Sequence, residues 1–317
     1  MRRDWPQAAV AYEESVTRAF DALGGVDLAR AAEADRTRRE ALVAPALDRL
    51  DLRGLDPWGD EDESAAVMLA VRAAGAVVLP WPLAHELAVP ADLRGEVGGV
   101  HLISGDADRL DHADLLRDAV AVDLDRGVAR RVTAGAPRPA PLDPFASGVV
   151  LGAEVPGVDA ARVTAMRLLL DAFWVAGALA TAAERAVTHA RDRQQFGKPI
   201  GKFGEIRWRV ADLSLALDGL EELALHAWWL VRRGEARSAD LLALRVQMIE
   251  AANTVLANGH QVMGAMGLCE EHDLTVLDRH LQSVLHRPAG RIASTGLLAR
   301  AVAAEGFDGV YPVAAWR

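Results

Sequence analysis

From Asp159 to Arg191 apolar side chains recur three or four positions apart without a break, over about nine helical turns. A helix of that length must bury its stripe against other helices, and Ala176, Gly177, Ala178 and Ala180 in its middle let them come close. The same period returns from Phe203 to Val231 and from Ser238 to Asn258, where Gly259 is expected to interrupt it. Shorter helices are expected over Leu274 to Leu285 and Arg291 to Ala304, and strand signals stop at Val158. Long helices with short connections predict an antiparallel bundle over residues 158–317. An Ala- and Leu-rich composition with only 5% aromatic residues points the same way.

The front of the chain reads as a second helical unit, residues 1–92. Helices are expected over Val10 to Leu23, over Leu42 to Leu52 with Pro45 in its first turn, and over Glu63 to Val78 with Ser64 as a cap. Pro80-Trp81-Pro82 then forces a turn. Between the two helical units, residues 93–157 carry β signals. Val97 to Ile103 and Ala119 to Leu124 read as strands, Asp125-Arg126-Gly127 as a hairpin turn returning through Val128 to Val132, and Gly148 to Gly152 as a further strand. Gly135 to Pro144 is proline-rich and reads as loop. The fold class expected is mainly α with a small β module, a modest sheet and not a large barrel.

Charge and cysteine usage narrow the function classes. The formal charge of −10 repels phosphate backbones, so nucleic acid is not expected as a partner, although a local basic cleft could still hold a phosphorylated cofactor. One cysteine, Cys269, excludes an intrachain disulfide and fits a reducing compartment. The apolar run Ala65 to Trp81 is broken by Arg72 and stopped by Pro80, which reads as a buried helix. No signal-peptide pattern opens the chain, so a cytoplasmic protein without membrane attachment is expected.

Two segments carry chemistry. In Arg191-Asp192-Arg193-Gln194-Gln195-Phe196-Gly197-Lys198-Pro199-Ile200 a helix ends and the chain turns sharply. Arg193 there offers a planar, permanently charged fork suited to a diphosphate, or else merely solvates a helix C-terminus. In Gln261-Val262-Met263-Gly264-Ala265-Met266-Gly267, small residues let a ligand or another helix approach the backbone. No strand precedes that segment, so it is not a dinucleotide fingerprint.

Together and in this order, the two segments resemble the acyl-CoA dehydrogenase family. Arg193 to Ile200 is similar to its "RxQFGxPI" signature, Gln261 to Gly267 to its "QxxGGxG" stretch, and Glu270-Glu271-His272 with Leu277-Asp278-Arg279 to the acidic-then-arginine segment that follows. The resemblance covers residues 158–290 well and the front only in outline. It implies an N-terminal helical domain, a middle β domain and a C-terminal antiparallel bundle that binds FAD. The implied reaction is α,β-desaturation of an acyl-CoA thioester, with a carboxylate removing the α-proton. FAD is shared across a subunit interface, with Arg193 and Phe196 at the diphosphate and Gln261, Gly264 and Ala265 on the adenosine side.

The departures from the family pattern agree with one another. At the two places where members keep the base, this chain reads Leu285-His286-Arg287-Pro288-Ala289-Gly290 and Met166-Arg167-Leu168, without a carboxylate, and arginine cannot serve. Asp171, a turn along, is the one displaced candidate. The "ITEPxxGSD" and "WxTNG" contacts to the flavin ring have no counterpart between Ala91 and Pro156, and Phe203-Gly204-Glu205 stands where a "FQ" pair is expected. The chain therefore resembles the shorter, base-lacking subunit of two-gene actinobacterial acyl-CoA dehydrogenases, which act on sterol side-chain thioesters, and Val78 to Ala84 looks like that type. That implies a homodimer or a heterotetramer with a full-length dehydrogenase that supplies the base. The rival readings are a structural or regulatory subunit without cofactor, and a flavin-dependent monooxygenase on the same fold.

Other signals point elsewhere only weakly. Trp228-Trp229 reads as core or interface before acyl cavity. His85-Glu86 lacks the spaced histidine of a zinc helix, and His260, His272, His280 and His286 are too scattered for a ligand set, so no metal is expected. Cys269 beside two carboxylates reads as a poor nucleophile.

Overall fold

The computed structural model describes residues 4–306. Its first helix, α1 (Gln7–Ala22), buries Ala9, Val16 and Phe20, one face of the expected pattern. A second, α2 (Val26–Ala34), follows where no helix was expected, because its apolar stripe is only two turns long. The second expected helix, Leu42 to Leu52, is instead a wide turn at Arg39–Val43 followed by α3 (Ala44–Arg49), with Pro45 in the first turn of the latter. In α4 (Glu61–Ala76) the cap is Asp60, whose carboxylate accepts the Glu63 N–H at 2.9 Å. Ser64 does not cap. It lies inside, donating to the Pro57 carbonyl at 2.8 Å and accepting from the Trp228 indole at 2.9 Å. α5 (Leu83–Leu87) follows the proline turn.

Five strands form one mixed sheet: β1 (Val100–Ile103), β2 (Arg109–Asp111), β3 (Val120–Asp123), β4 (Val128–Pro137) and β5 (Ala146–Glu154), in the order β1-β3-β4-β5-β2. The predicted hairpin is present, with Val120 opposite Arg131 and Asp123 opposite Val128. β4 runs to Pro137, beyond the expected start of the loop, because it pairs with the long β5. β2, three residues long, gave no sequence signal, and it exists by pairing with β5.

The bundle begins at α6 (Ala160–Asp192), capped by Asp159, which accepts the Arg162 N–H at 3.0 Å. A two-residue hairpin, β6 (Gln194–Gln195) and β7 (Lys198–Pro199), interrupts the helices where no strand was expected. Next come α7 (Gly204–Arg233), closed by Gly234 in the left-handed region, and α8 (Ser238–Met263). α8 does not break at Gly259, which is buried against Leu274. α9 (Asp273–His286) and α10 (Arg291–Glu305) complete the array. α6 alone among the described helices is long and apolar enough to cross a membrane, and 78% of its apolar window is buried inside the protein.

Helices from before and after the sheet share one core, in which α4 crosses α6 through facing glycines. Arg245 on α8 locks the other side. Its guanidinium donates to the carbonyls of Val284 (2.7 Å), Leu285 (2.8 Å) and Ala289 (3.0 Å), closing the turn between α9 and α10. Burial pushes this arginine down to about 10, with the Asp171 carboxylate opposing. Arg245→Met keeps the volume but strands the Val284 and Leu285 carbonyls, while Ala289 keeps the Ser294 hydroxyl at 2.8 Å, and is expected to cost about 3 kcal/mol in urea unfolding.

Candidate functional site

Two regions concentrate functional chemistry. The first lies where α5, the sheet, α6 and α9 converge. Arg167 is buried and donates to Asp171 Oδ1 through Nε at 3.0 Å and Nη2 at 2.9 Å, while its Nη1 reaches the Val100 carbonyl at 2.8 Å. Arg287 grips Asp143 and lies 3.4 Å from Asp111. Burial opposes the charge on Arg287, yet the two aspartates hold its pKa above the ordinary value. Arg39, under the Phe145 ring at 4.9 Å, pairs with Asp114. His280 meets Glu33 at 2.7 Å, and Glu33 also takes Arg279 at 2.9 Å.

Both positions at which the resemblance looks for a base thus carry a charge-paired arginine. Asp171, the one displaced candidate, is 3% exposed and held by Arg167. The cavity these residues leave, beside Trp81, His85, Phe145 and His280, has a volume of about 40 Å³. Ligand pockets run to roughly 300–1,000 Å³. The i, i+4 spacing of Arg167 and Asp171 was legible in the sequence. Asp111, Asp143 and Arg287 were not, since strand, loop and helix end meet only in the folded chain.

The second region is the end of the bundle at which α6 and α8 finish. Arg193, Phe196, Gln261, Gly264 and Ala265 are all exposed there. Ion pairs tie this end together, Arg185 on α6 meeting Asp273 at the start of α9 at 3.2 Å. The Arg193 guanidinium has no carboxylate or carbonyl partner among the described residues, which leaves its fork available. Phe196 and Gly197 both take positive φ (50° and 77°) at the hairpin tip, as a two-residue turn of this hand requires. A phenylalanine pays for that backbone, at about 1–2 kcal/mol, and it is 89% exposed. Its ring meets Phe203 edge-on, at 6.0 Å. Beside the hairpin an open groove of about 520 Å³ is lined by Val187, Pro199, Val210 and three cations, Arg191, Lys202 and Arg207. A chain of charge −10 therefore places six cations against two carboxylates between residues 191 and 209.

The family model for the C-terminal domain of acyl-CoA dehydrogenase matches residues 158–287. Over those residues the chain is similar to an acyl-CoA dehydrogenase C-terminal domain. The whole described chain has the acyl-CoA dehydrogenase fold, mostly helical with a small mixed sheet. A curated relative, 3-sulfinopropanoyl-CoA desulfinase of Cupriavidus necator, is 34% identical over 101 residues, which is 31% of this chain and 24% of the relative. The chain thus spans about a quarter of that relative's length. Among solved structures, a chain of the ChsE4-ChsE5 complex from Mycobacterium tuberculosis superposes with a TM-score of 0.77 at 18% identity, covering 96% of this chain and 99% of that one. PigA, solved with FAD and proline, superposes with a TM-score of 0.73 at 16% identity, covering 96% and 99%.

In this dehydrogenase-type frame the weighed tryptophans separate. Trp228 is buried, bonded to Ser64 and packed on Trp5 at 4.8 Å, while Trp229 is half-buried under Arg233 at 4.9 Å. Cys269 is exposed. Phe203 stands at the start of α7 under Lys198, 4.4 Å from its ring.

Proposed function

We propose that this chain is an acyl-CoA dehydrogenase-type flavoprotein subunit that grips an FAD shared with a partner and leaves proton abstraction to that partner. The observation that carries the reading is the closed junction, where both base positions hold arginines already engaged by buried aspartates. Breaking such a pair costs about 3–5 kcal/mol, so Asp171 is a poor free base. The exposed, unpaired Arg193 and the cationic groove fit a diphosphate, and the exposed Gly264 at φ 60° leaves backbone open to an adenosine half. FAD, when bound, supplies a hydride acceptor. This chain's residues hold and orient it from outside their own junction. A relative acting on a CoA thioester and a fold neighbour solved with FAD support the class of substrate and cofactor. A two-chain complex on this fold supports a full-length dehydrogenase partner, and an acyl-CoA, including a sterol side-chain thioester, as the substrate of the assembly.

The test is flavin content. The chain purified alone is expected to be nearly colourless, and to retain about one FAD per pair when co-purified with a full-length dehydrogenase. One FAD per isolated chain with desaturation activity would overturn the reading. In the complex, Arg193→Ala is expected to weaken FAD binding about 10–100-fold, the worth of a charge-assisted pair, with an unchanged melting temperature. Unaltered flavin retention would instead identify a cofactor-free structural subunit, which the same closed junction also suits.

A further inference from the structure

The proposed flavin grip does not involve three buried titratable groups that meet where α5 joins the sheet. His85 from α5, His101 from β1 and Asp111 from β2 are 5%, 1% and 8% exposed. One ligand atom from each lies within 4.8 Å of the other two. The imidazole rings of His85 and His101 meet edge-on with centroids 4.7 Å apart, and His85 Nε2 is 3.8 Å from Asp111 Oδ1. His85 Nδ1 and His101 Nε2 are buried without a hydrogen-bond partner among the described residues, a state that a bound water or ion would relieve. All three side chains line a cavity of about 10 Å³, room for one water or one ion.

We propose that His85, His101 and Asp111 form a buried site for a single divalent transition-metal ion, best matched by zinc. Two imidazoles and a carboxylate make a zinc donor set, and a water in the cavity completes four ligands. Coordination at about 2.0–2.2 Å sets ligand atoms roughly 3.3–3.6 Å apart, so the side chains draw in by about 1 Å. Metal binding needs neutral imidazoles and an ionised carboxylate. Burial, with Arg167 beside His85 and with His85 beside His101, pushes both histidines down and keeps them neutral. Burial pushes Asp111 up, but His85 and Arg287 outweigh it and hold the carboxyl well below its ordinary value.

The charges facing the site come from every packed element. Arg167 and Asp171 lie on α6, Arg287 after α9, Asp143 on the loop before β5, and His112 just past β2. Arg167 and Arg287 oppose a cation. Arg167 faces Asp171 and Arg287 grips Asp143, so both are largely neutralised, although Arg287 also lies 3.4 Å from Asp111 and would have to share that carboxylate with the ion. The ion would tie α5 to both edges of the sheet, a structural clamp where the helical and β parts meet.

The test uses the full chain, stripped with chelator and then given zinc alone, or cobalt as a spectroscopic probe. The expected result is one equivalent bound, a higher melting temperature, and cobalt visible absorption of tetrahedral strength. In H101Q and D111N, with far-UV circular dichroism confirming the fold, affinity is expected to fall at least 10-fold. Folded wild-type protein that binds no stoichiometric zinc and shows no thermal shift would overturn the proposal, the cavity then holding water. Undiminished binding in both variants would also overturn it, placing the ion elsewhere, for example at His260 and Asp278, which lie 3.0 Å apart. Should the variants fail to fold, the wild-type stoichiometry and cobalt spectrum decide alone.

Discussion

Replacing Gly177 with valine is expected to cost about 3 kcal/mol or more and to yield chain that is largely insoluble or molten. Overpacking usually costs about 1–3 kcal/mol, because flexible neighbours give way. Here they cannot. A Cβ at Gly177 would stand 1.9 Å from the Arg72 carbonyl oxygen and 2.9 Å from the Ala76 amide nitrogen, both backbone of α4. Gly75 makes the reciprocal approach, its Cβ position 1.8 Å from the Trp174 carbonyl of α6. Thr181 closes the crossing by donating to the Ala76 carbonyl at 2.8 Å. A side chain at either glycine must push two core helices apart and open voids along both. Gly259→Ala is the control. Its Cβ would meet only Leu274 methyls at 3.6 Å, and a helical glycine replaced by alanine gains about 0.5–1 kcal/mol. Urea midpoints and near-UV circular dichroism separate the two, and equal stabilities would mean that the α4–α6 crossing is looser than its geometry.

With chelator present, lowering the pH from 7.5 to 5.5 is expected to remove about 3 kcal/mol of stability. Burial drives it: His101, pressed further by His85, and His112, pressed further by Arg39, are both held well below an ordinary histidine. A histidine neutral in the fold and of pKa near 6.5 when unfolded takes up its proton on unfolding. Stability is therefore complete above the unfolded value and is lost as the pH falls below it. Each such group contributes about 1.4 kcal/mol over that interval, and His85, shifted the same way, adds to the loss. Glu13, Glu86 and Asp143, pushed up by burial, return part of it at the acid end, since the folded chain holds protons there that the unfolded chain has released. His260 acts oppositely as well. Its bond to Asp278 raises it, so its contribution stands below the unfolded value and fades as the pH rises, and it is small at a half-open site. A flat stability profile between the two pH values would show that the buried histidines are already protonated in the fold.

Much of the architecture was legible because it is local. The long apolar periods of α6 and α7 act within a few residues, and both helices form within two residues of where the pattern put them. Elements that failed did so for lack of local information. β2 has three residues and exists by pairing with β5, α8 runs through Gly259 because Leu274 covers it, and Ser64 lost the cap to Asp60 because its hydroxyl answers Pro57 and Trp228. The candidate cofactor residues were visible for another reason, since Arg193 to Ile200 and Gln261 to Gly267 are contiguous stretches.

The sequence by itself therefore determined the helical bundle, the two recognisable segments and the presence of arginine, not carboxylate, at 167 and 287. Those are statements about neighbours along the chain, where spacing and side-chain type suffice. Tertiary structure alone decided that the arginines are buried on Asp171 and Asp143, that their junction shrinks to about 40 Å³, and that the five exposed candidate residues sit at one end of the bundle. It also brought His85, His101 and Asp111 within 4.8 Å, from a helix and two strands that are not neighbours in the sheet. Burial sets the charge state of such groups, and burial is a property of the packed chain, because it depends on which distant segments exclude water from each side chain.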